Sequence, residues 1–174
     1  MKAEIISIGT EILLGNIIDT NSSFLANQLP LLGIDLYFIT TVGDNQERLV
    51  DALKRAWTRA ELIITTSGLG PTQDDITRQA IAELVGEELR VDAELWQELQ
   101  ALLSQGRWKI PQSNIRQANV IPSAKIIPNP MGTAPGWWVE KDGHIVVAMP
   151  GPPDEMQLMW KEGVLPRLRQ RSTG

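Results

Sequence analysis

Residues 67–75, Ser-Gly-Leu-Gly-Pro-Thr-Gln-Asp-Asp, combine two glycines with two carboxylates. They follow an aliphatic run at 62–66 that predicts a buried strand, and they precede an amphipathic stretch at 76–85 that predicts a helix. A glycine turn between a strand and a helix exposes unpaired backbone N–H groups and the positive end of the helix dipole, which favours an anion. Because Asp74 and Asp75 would repel a bare phosphate, the turn predicts a nucleotide or pterin phosphate bound with a divalent cation.

A structural role for the same residues is also open. Thr72 and Asp75 have the spacing of a capping box, in which both side chains satisfy free N–H groups of the helix. The turn matches neither the dinucleotide-binding motif, because residue 73 is Gln, nor the P-loop, because no Gly-Lys-Ser/Thr occurs. Capping and function therefore stay as alternatives for both residues.

The composition limits the class of protein. The chain has 174 residues, of which 43% are hydrophobic and 21% charged, as expected for one soluble domain spanning 1–174. A net charge of −5 argues against a nucleic-acid partner. The absence of cysteine excludes disulfides and zinc–thiolate sites. No apolar run has membrane-spanning length and no signal-peptide pattern opens the chain, so we expect a cytoplasmic protein without a membrane partner.

The elements that must position the glycine turn alternate between strands and helices. Predicted strands are 3–8, 34–42, 62–66 and a hairpin of 137–140 with 145–149; predicted helices are 21–32, one after 44–47, 76–85, one after Asp92 and one from about 154. We expect Asn21 or Ser22 to cap the first long helix, Pro30 to end it early, and Gly106 to stop the helix after Asp92. The segment 108–135 is predicted to be irregular, with one short helix near 114–119. This order indicates an α/β protein with a mainly parallel sheet covered on both faces and an antiparallel edge hairpin.

In such a sheet, ligands bind outside the carboxyl ends of the strands. The turns after the predicted strands should therefore meet, and Asp44 with Asp75 would supply both the catalytic groups and the metal ligands. The remaining candidates for substrate binding are Thr10, Glu11, Asp19, Asn21, Ser67, Gly68, Leu69, Gly70, Pro71, Thr72, Asn129, Gly132, Thr133, Ala134, Pro150, Gly151 and Pro152.

Aromatic residues give weaker signals. We expect His144, the only histidine, to be a surface turn residue, and Trp57 and Trp96 to pack in the core. Trp137 and Trp138 are adjacent on a predicted strand and must point to opposite faces. One ring should then face outward, either at a subunit contact in a homo-oligomer or at the rim of the site.

Five motifs together resemble a known family. They are 9–15 (GTEILLG) with 19–21 (DTN), 42–45 (VGDN), 68–72 (GLGPT) with 74–75 (DD), 129–136 (NPMGTAPG) and 150–153 (PGPP). In this order they look like the N-terminal domain of the competence/damage-inducible protein CinA, over residues 1 to about 168. Ser67 departs from the family pattern, which usually has Gly there.

The resemblance implies the molybdenum-cofactor biosynthesis (MogA/MoaB-like) fold, a three-layer α/β/α sandwich that is commonly oligomeric. It implies divalent-metal-dependent hydrolysis (Mg, Mn, Co or Ni) of the pyrophosphate bond of ADP-ribose or a related nucleoside diphosphate sugar, with Asp44 and Asp75 at the positions of the functional aspartates. Two alternatives stay open: a molybdopterin-binding or adenylyl-transfer protein, and a non-catalytic nucleotide-binding module. Full-length CinA also carries a C-terminal deamidase domain, which we do not expect here because nothing beyond Gly174 could encode it.

Overall fold

A computed structural model describes residues 1–105 and 111–172. The strands are β1 (Lys2–Ile8), β2 (Asp35–Val42), β3 (Leu62–Thr66), β4 (Arg90–Val91), β5 (Asn119–Val120), β6 (Ala124–Ile127), β7 (Gly136–Lys141) and β8 (His144–Met149). The helices are α1 (Thr10–Leu13), α2 (Thr20–Gln28), α3 (Gln46–Arg59), α4 (Thr77–Val85), α5 (Ala93–Ser104), α6 (Pro153–Met159) and α7 (Leu165–Ser172). Two 3-10 helices (Leu29–Leu32 and Gln112–Ala118) and a π-helical turn (Trp160–Val164) complete the order.

Six strands form the main sheet in the order β2-β1-β3-β8-β7-β6. β1, β2, β3 and β8 run parallel, whereas β7 and β6 are antiparallel to their neighbours. α3 and α4 cover one face of the sheet, and α2, α6 and α7 cover the other. All five residues of the central strand β3 are buried, since both of its faces are covered, and three of them are aliphatic. The predicted mainly parallel three-layer sandwich with an antiparallel edge is confirmed.

The predicted strands at 3–8, 34–42 and 62–66 and the hairpin are present. Asp142 and Gly143 both have positive φ, 49° and 81°, as a tight hairpin turn requires. The strand at the antiparallel edge is β6, in a segment for which the sequence predicts irregular structure. β8 lies in the interior beside β3, so the hairpin joins the parallel part of the sheet to its antiparallel edge.

Helix ends differ in part from the sequence prediction. Asp19 caps α2 by accepting a hydrogen bond from Ser22 N at 3.0 Å, so the prediction of Asn21 or Ser22 as the cap is wrong. Pro30 does end the helix early, since α2 stops at Gln28 and continues as a 3-10 helix. Asp92 caps α5 as predicted. The predicted stop at Gly106 lies outside the described residues.

Both adjacent tryptophans are buried. Trp137 is 0% exposed and packs with α3 and α4, while Trp138 is 2% exposed and packs with α6 and α7. They point to opposite faces as predicted. The prediction that one ring faces outward is wrong, because helices cover both faces of the sheet. The basis for placing either ring at a subunit contact or at the rim is thereby removed.

The prediction that His144 is a surface turn residue is wrong. His144 begins β8 and is half-buried, with its ring stacked on Trp57 at 3.9 Å between centroids. Its Nε2 lies 2.8 Å from the carbonyl oxygen of Trp57. The imidazole therefore joins the hairpin to the end of α3, and Trp57, like Trp96, is half-buried.

Across residues 1–105 and 111–172, none of the helices combines the length and the apolar character that crossing a membrane would need.

Candidate functional site

The turns after β1, β2, β3 and β8 meet at one edge of the sheet because these four strands are parallel. The turns after β1 and β2 are joined by a reciprocal pair of hydrogen bonds. Asp44 N donates to Thr10 Oγ1 at 3.0 Å, and Thr10 N donates to Asp44 Oδ2 at 3.4 Å. The cap of α3 is Asn45, which accepts a hydrogen bond from Arg48 N at 3.0 Å. Asp44 is exposed at the edge of the sheet.

A cleft of about 350 Å³ opens at this edge on the side of α2 and α6. Its lining comes from the turns after β1, β3 and β8 and from the start of α2: Glu11, Ile12, Ile17, Ile18, Asp19, Thr20, Asn21, Thr66, Ser67, Gly151, Pro152 and Pro153. Of the predicted substrate-binding residues, Glu11, Asp19, Asn21, Ser67, Gly151 and Pro152 thus lie together.

Asn21 holds two walls of the cleft together. Its Nδ2 donates to the carbonyl oxygen of Gly151 at 2.8 Å, across 130 residues of sequence. The side chain is only 8% exposed, and within the described part of the chain its Oδ1 has no hydrogen-bond partner. A buried acceptor without a donor is costly, so this oxygen is suited to a donor group on a ligand.

The cleft is rich in other acceptors. Glu11 lines it, as does Asp19, whose carboxylate oxygens accept hydrogen bonds from Ser22 N and Ser22 Oγ. Such a surface disfavours a phosphate and favours hydroxyl or amino groups, which donate hydrogen bonds. The cleft therefore suits the donor-bearing part of a ligand rather than its anionic part.

The glycine turn is longer than the sequence suggested. α4 begins at Thr77 and has no side-chain cap, so the predicted capping box is wrong. Thr72 N and Thr72 Oγ1 both donate to Asp75 Oδ2, at 2.9 and 2.8 Å, in a local turn that lies before the helix. A Thr-x-x-Asp spacing closes such a loop as well as it caps a helix, which is why the pattern misled.

The proposed metal ligands, Asp44 and Asp75, precede α3 and α4, two helices that pack on the same face of the sheet. Each carboxylate uses Oδ2 for hydrogen bonds inside the protein, and within residues 1–105 and 111–172 neither Oδ1 has a hydrogen-bond partner. Over the same residues, no group of three or more acidic or histidine side chains is arranged to hold a metal ion. The residues present fit a cation that takes most of its ligands from phosphate oxygens and water, as Mg²⁺ does in many nucleotide sites.

The segment 129–135 lies apart from this cleft. Asn129, Gly132 and Thr133 line a second cavity of about 220 Å³ beside α5. The amide of Asn129 is fully engaged within the protein: its Nδ2 donates to Ala134 O and Glu155 Oε1, and its Oδ1 accepts from Met131 N and Gly132 N. Asn129 thus holds its own loop against α6. Of the other candidates, Thr10 and Thr72 are exposed, whereas Leu69, Ala134 and Pro150 are buried.

Sequence reasoning missed Arg78, which lies beneath the glycine turn. Arg78 is 2% exposed, and its Nη2 donates to the carbonyl oxygen of Leu69 at 2.5 Å. Burial lowers the pKa of Arg78 to about 10, although the nearby Asp75 acts in the opposite direction. An arginine on an amphipathic helix is normally taken for a surface residue, so the sequence carried no signal for it.

Comparison with known proteins agrees with this architecture. Residues 4–170 match the family described as "Probable molybdopterin binding domain". A crystal structure of the protein CinA from Thermoplasma acidophilum is 30% identical, with a TM-score of 0.88 over 97% of this chain and 99% of that one. The chain belongs to the CinA family of molybdopterin-binding-like domains. The resemblance inferred from the five motifs is confirmed.

CinA-like proteins of Thermomicrobium roseum and Deinococcus deserti are 50% and 51% identical to the chain over 97% of its length. The chain spans about two fifths of the length of these curated relatives, 41% and 42%. The molybdopterin biosynthesis enzyme MoaB of Thermus thermophilus is 20% identical, with a TM-score of 0.67 over 99% of this chain and 94% of that one, which shows the shared fold. These names favour the pterin-binding alternative over the hydrolase hypothesis.

Proposed function

We propose that this CinA-family domain binds a small phosphate-bearing pterin or nucleotide at the carboxyl edge of its sheet. The observation that carries the proposal is the cleft of about 350 Å³ that Asn21 lines, with its Oδ1 buried and without a hydrogen-bond partner among the described residues. That volume falls within the range of small-molecule sites. The acceptors Asn21 Oδ1, Glu11 and Asp19 suit the hydroxyls of a ribose or the amino and ring N–H groups of a pterin. Ser67 lines the same cleft, and the backbone that follows it would take the phosphate.

A second candidate is hydrolysis of the pyrophosphate bond of ADP-ribose or a related nucleoside diphosphate sugar. The observation favouring it is that Asp44 and Asp75 each keep one carboxylate oxygen without a hydrogen bond inside the described chain. A divalent metal (Mg, Mn, Co or Ni), when bound by these oxygens and the diphosphate, would neutralise phosphate charge and lower the pKa of a bound water. Thr10 and Thr72 hold the two carboxylates in place. The reaction adds water across one P–O–P bond and gives AMP and ribose 5-phosphate.

The test of binding is titration of the purified domain with molybdopterin, ATP and ADP-ribose. Asn21→Ala should weaken whichever ligand binds, because the ligand's N–H or O–H group loses the acceptor, Asn21 Oδ1, that we assign to it. Asn27→Ala is the matched control, since Asn27 is on the same helix but exposed. Failure of the wild-type protein to bind any of the three ligands would refute the proposal.

The test of hydrolysis is incubation with ADP-ribose and each metal, followed by chromatography for AMP and ribose 5-phosphate. Tight binding without products would leave the domain a non-catalytic nucleotide-binding module. Metal-dependent transfer of AMP from ATP to molybdopterin would instead identify adenylyl transfer.

A homo-oligomer is also part of the proposal, on a different basis from the tryptophans. β2 is an outer strand of the sheet and exposes three successive large apolar residues, Tyr37, Phe38 and Ile39. Unpaired edge strands with such side chains are regular sites of association. Light scattering that shows a monomer at high micromolar concentration would contradict it. A cytoplasmic location is proposed from composition alone.

A further inference from the structure

Three consecutive carbonyl oxygens of the glycine turn are bonded to the first two residues of α4. Thr77 Oγ1 donates to Ser67 O at 2.9 Å, and Thr77 N donates to Gly68 O at 3.2 Å. Arg78 Nη2 donates to Leu69 O at 2.5 Å. The contacts are close, since a Cβ on Gly68 would lie 1.9 Å from Thr77 Oγ1. The start of the helix therefore fixes the orientation of three successive peptide units.

This orientation turns three N–H groups away from the helix. The peptides are trans, so each carbonyl points opposite to the N–H of the following residue. The N–H groups of Gly68, Leu69 and Gly70 consequently point away from α4, and none has an acceptor in the described parts of the chain. Left-handed φ values of 80° at Ser67 and 77° at Gly68 accompany the arrangement. Successive backbone N–H groups on one side of a turn form an anion-binding concavity.

Arg78 adds a positive charge beneath this concavity. Its side chain is buried, its Nε has no hydrogen-bond partner, and it takes part in no ion pair among the described residues. The lowered pKa of about 10 still leaves the guanidinium charged at neutral pH. A buried cation without an ion pair favours an anion nearby, and the charge of Asp75 acts to raise its pKa.

We infer that Thr77 and Arg78 are positioning residues that hold the Ser67–Leu69 carbonyls inward, so that the N–H groups of Gly68, Leu69 and Gly70 receive the ligand's phosphate or diphosphate. The inference rests on the proposed function and assigns the anionic part of the ligand to this backbone. The acceptor-lined cleft around Asn21 takes the donor-bearing part. Neither Thr77 nor Arg78 touches the ligand in this arrangement.

The experiment uses inorganic pyrophosphate and ADP-ribose as probes of the full chain. Thr77→Val removes the hydroxyl donor, and Thr77→Ser is the matched control that keeps it. Arg78→Met removes the guanidinium, and Arg78→Lys keeps a charge and one donor. Calorimetric titration measures affinity, and ¹H–¹⁵N spectra with and without pyrophosphate report on the three amides.

In the wild-type protein, pyrophosphate should shift the amide signals of Gly68, Leu69 and Gly70. Thr77→Val and Arg78→Met should each weaken both probes about tenfold or more, the effect of one lost, well-oriented hydrogen bond. The shifts should shrink at the same three amides and return in Thr77→Ser. A role limited to attaching the loop would change thermal stability without changing these shifts.

The two failures are distinguishable. Wild-type affinity and shifts in folded Thr77→Val and Arg78→Met would overturn the inference while leaving the proposed function intact. If only one of these two variants folds, the difference in affinity and amide shifts between it and its conservative control (Thr77→Ser or Arg78→Lys) decides between the two outcomes. A wild-type protein that binds neither probe and shows no shift at these amides would overturn the inference, and its failure with molybdopterin and ATP as well would overturn the proposed function.

Discussion

Replacing Ser67 by glycine should stabilise the protein. Ser67 has a φ of 80°, in the left-handed region that costs a residue with a Cβ roughly 1–2 kcal/mol. Glycine removes this cost but brings roughly 0.5–1 kcal/mol of extra backbone entropy in the unfolded chain. Ser67 Oγ makes no hydrogen bond within residues 1–105 and 111–172, so none is lost there. The difference is a gain of about 0.5–1 kcal/mol, or about 1–4 °C in Tm for a domain of this size.

Thermal unfolding followed by calorimetry and circular dichroism measures the gain. Asp142→Gly is the matched control, because Asp142 also has a positive φ, 49°, but sits in a hairpin turn that tolerates Asp. We expect a smaller gain there. A lower Tm for Ser67→Gly would refute the argument that the turn demands a left-handed backbone at this position.

The close approach of Gly151 to Ser67 allows a second, independent test at the same turn. A Cβ at Gly151 would lie 2.9 Å from Ser67 Oγ and 3.2 Å from Ser67 Cβ. Gly151→Ala should therefore cost roughly 1–3 kcal/mol of stability in the wild type, as overpacking does. The cost should fall by about 1 kcal/mol or more when Ser67 is already Gly, and an additive double-mutant cycle would contradict the geometry.

Three further predictions follow from other contacts. Gly70→Val should weaken ADP-ribose binding at least tenfold with little loss of folding, because a Cβ at Gly70 would lie 2.6 Å from Asp75 Oδ2; unchanged affinity in calorimetric titration would place the phosphate elsewhere. Asp44→Asn and Asp75→Asn should each abolish metal-dependent ADP-ribose hydrolysis, a loss of several kcal/mol of transition-state stabilisation, whereas exposed Asp74→Asn should not. Burial alone would raise the pKa of Glu87, but hydrogen bonds from Lys141 and Ser123 lower it overall, so this carboxylate stabilises the fold above its ordinary pKa and ceases to do so as pH falls through the lowered value. Glu87→Gln should be roughly 1–3 kcal/mol less stable than wild type at neutral pH, and denaturant titrations of the two proteins should converge in acid.

The parts of the fold predicted best are those with a strong local pattern. β3 was predicted at its observed bounds because five successive apolar or β-branched residues lie between polar turns. The hairpin followed from Asp142 and Gly143, which specify a tight turn by their own backbone preferences. β6 was missed because its four residues lie among prolines and asparagines, and only pairing with β7 makes them a strand.

The site was predicted less completely because its contacts are distant in sequence. The turns around Thr10, Asp44 and Ser67 could be placed at one edge from the parallel order alone. The bond from Asn21 to Gly151 could not, because nothing local to either residue specifies the other. Arg78 was missed for the same reason, since its burial depends on how the glycine turn folds back over α4.

The paired tryptophans have a consequence for how the molecule opens. Trp137 and Trp138 anchor the same strand in two separate hydrophobic cores, one on each side of the sheet. β7 cannot leave the sheet without exposing both rings, so its opening disrupts both helical layers at once. Regions that open only with the whole molecule exchange their amide hydrogens most slowly. The amides of β7 paired with β8 should therefore be among the last to exchange, and the two halves of the sandwich should unfold as one cooperative unit.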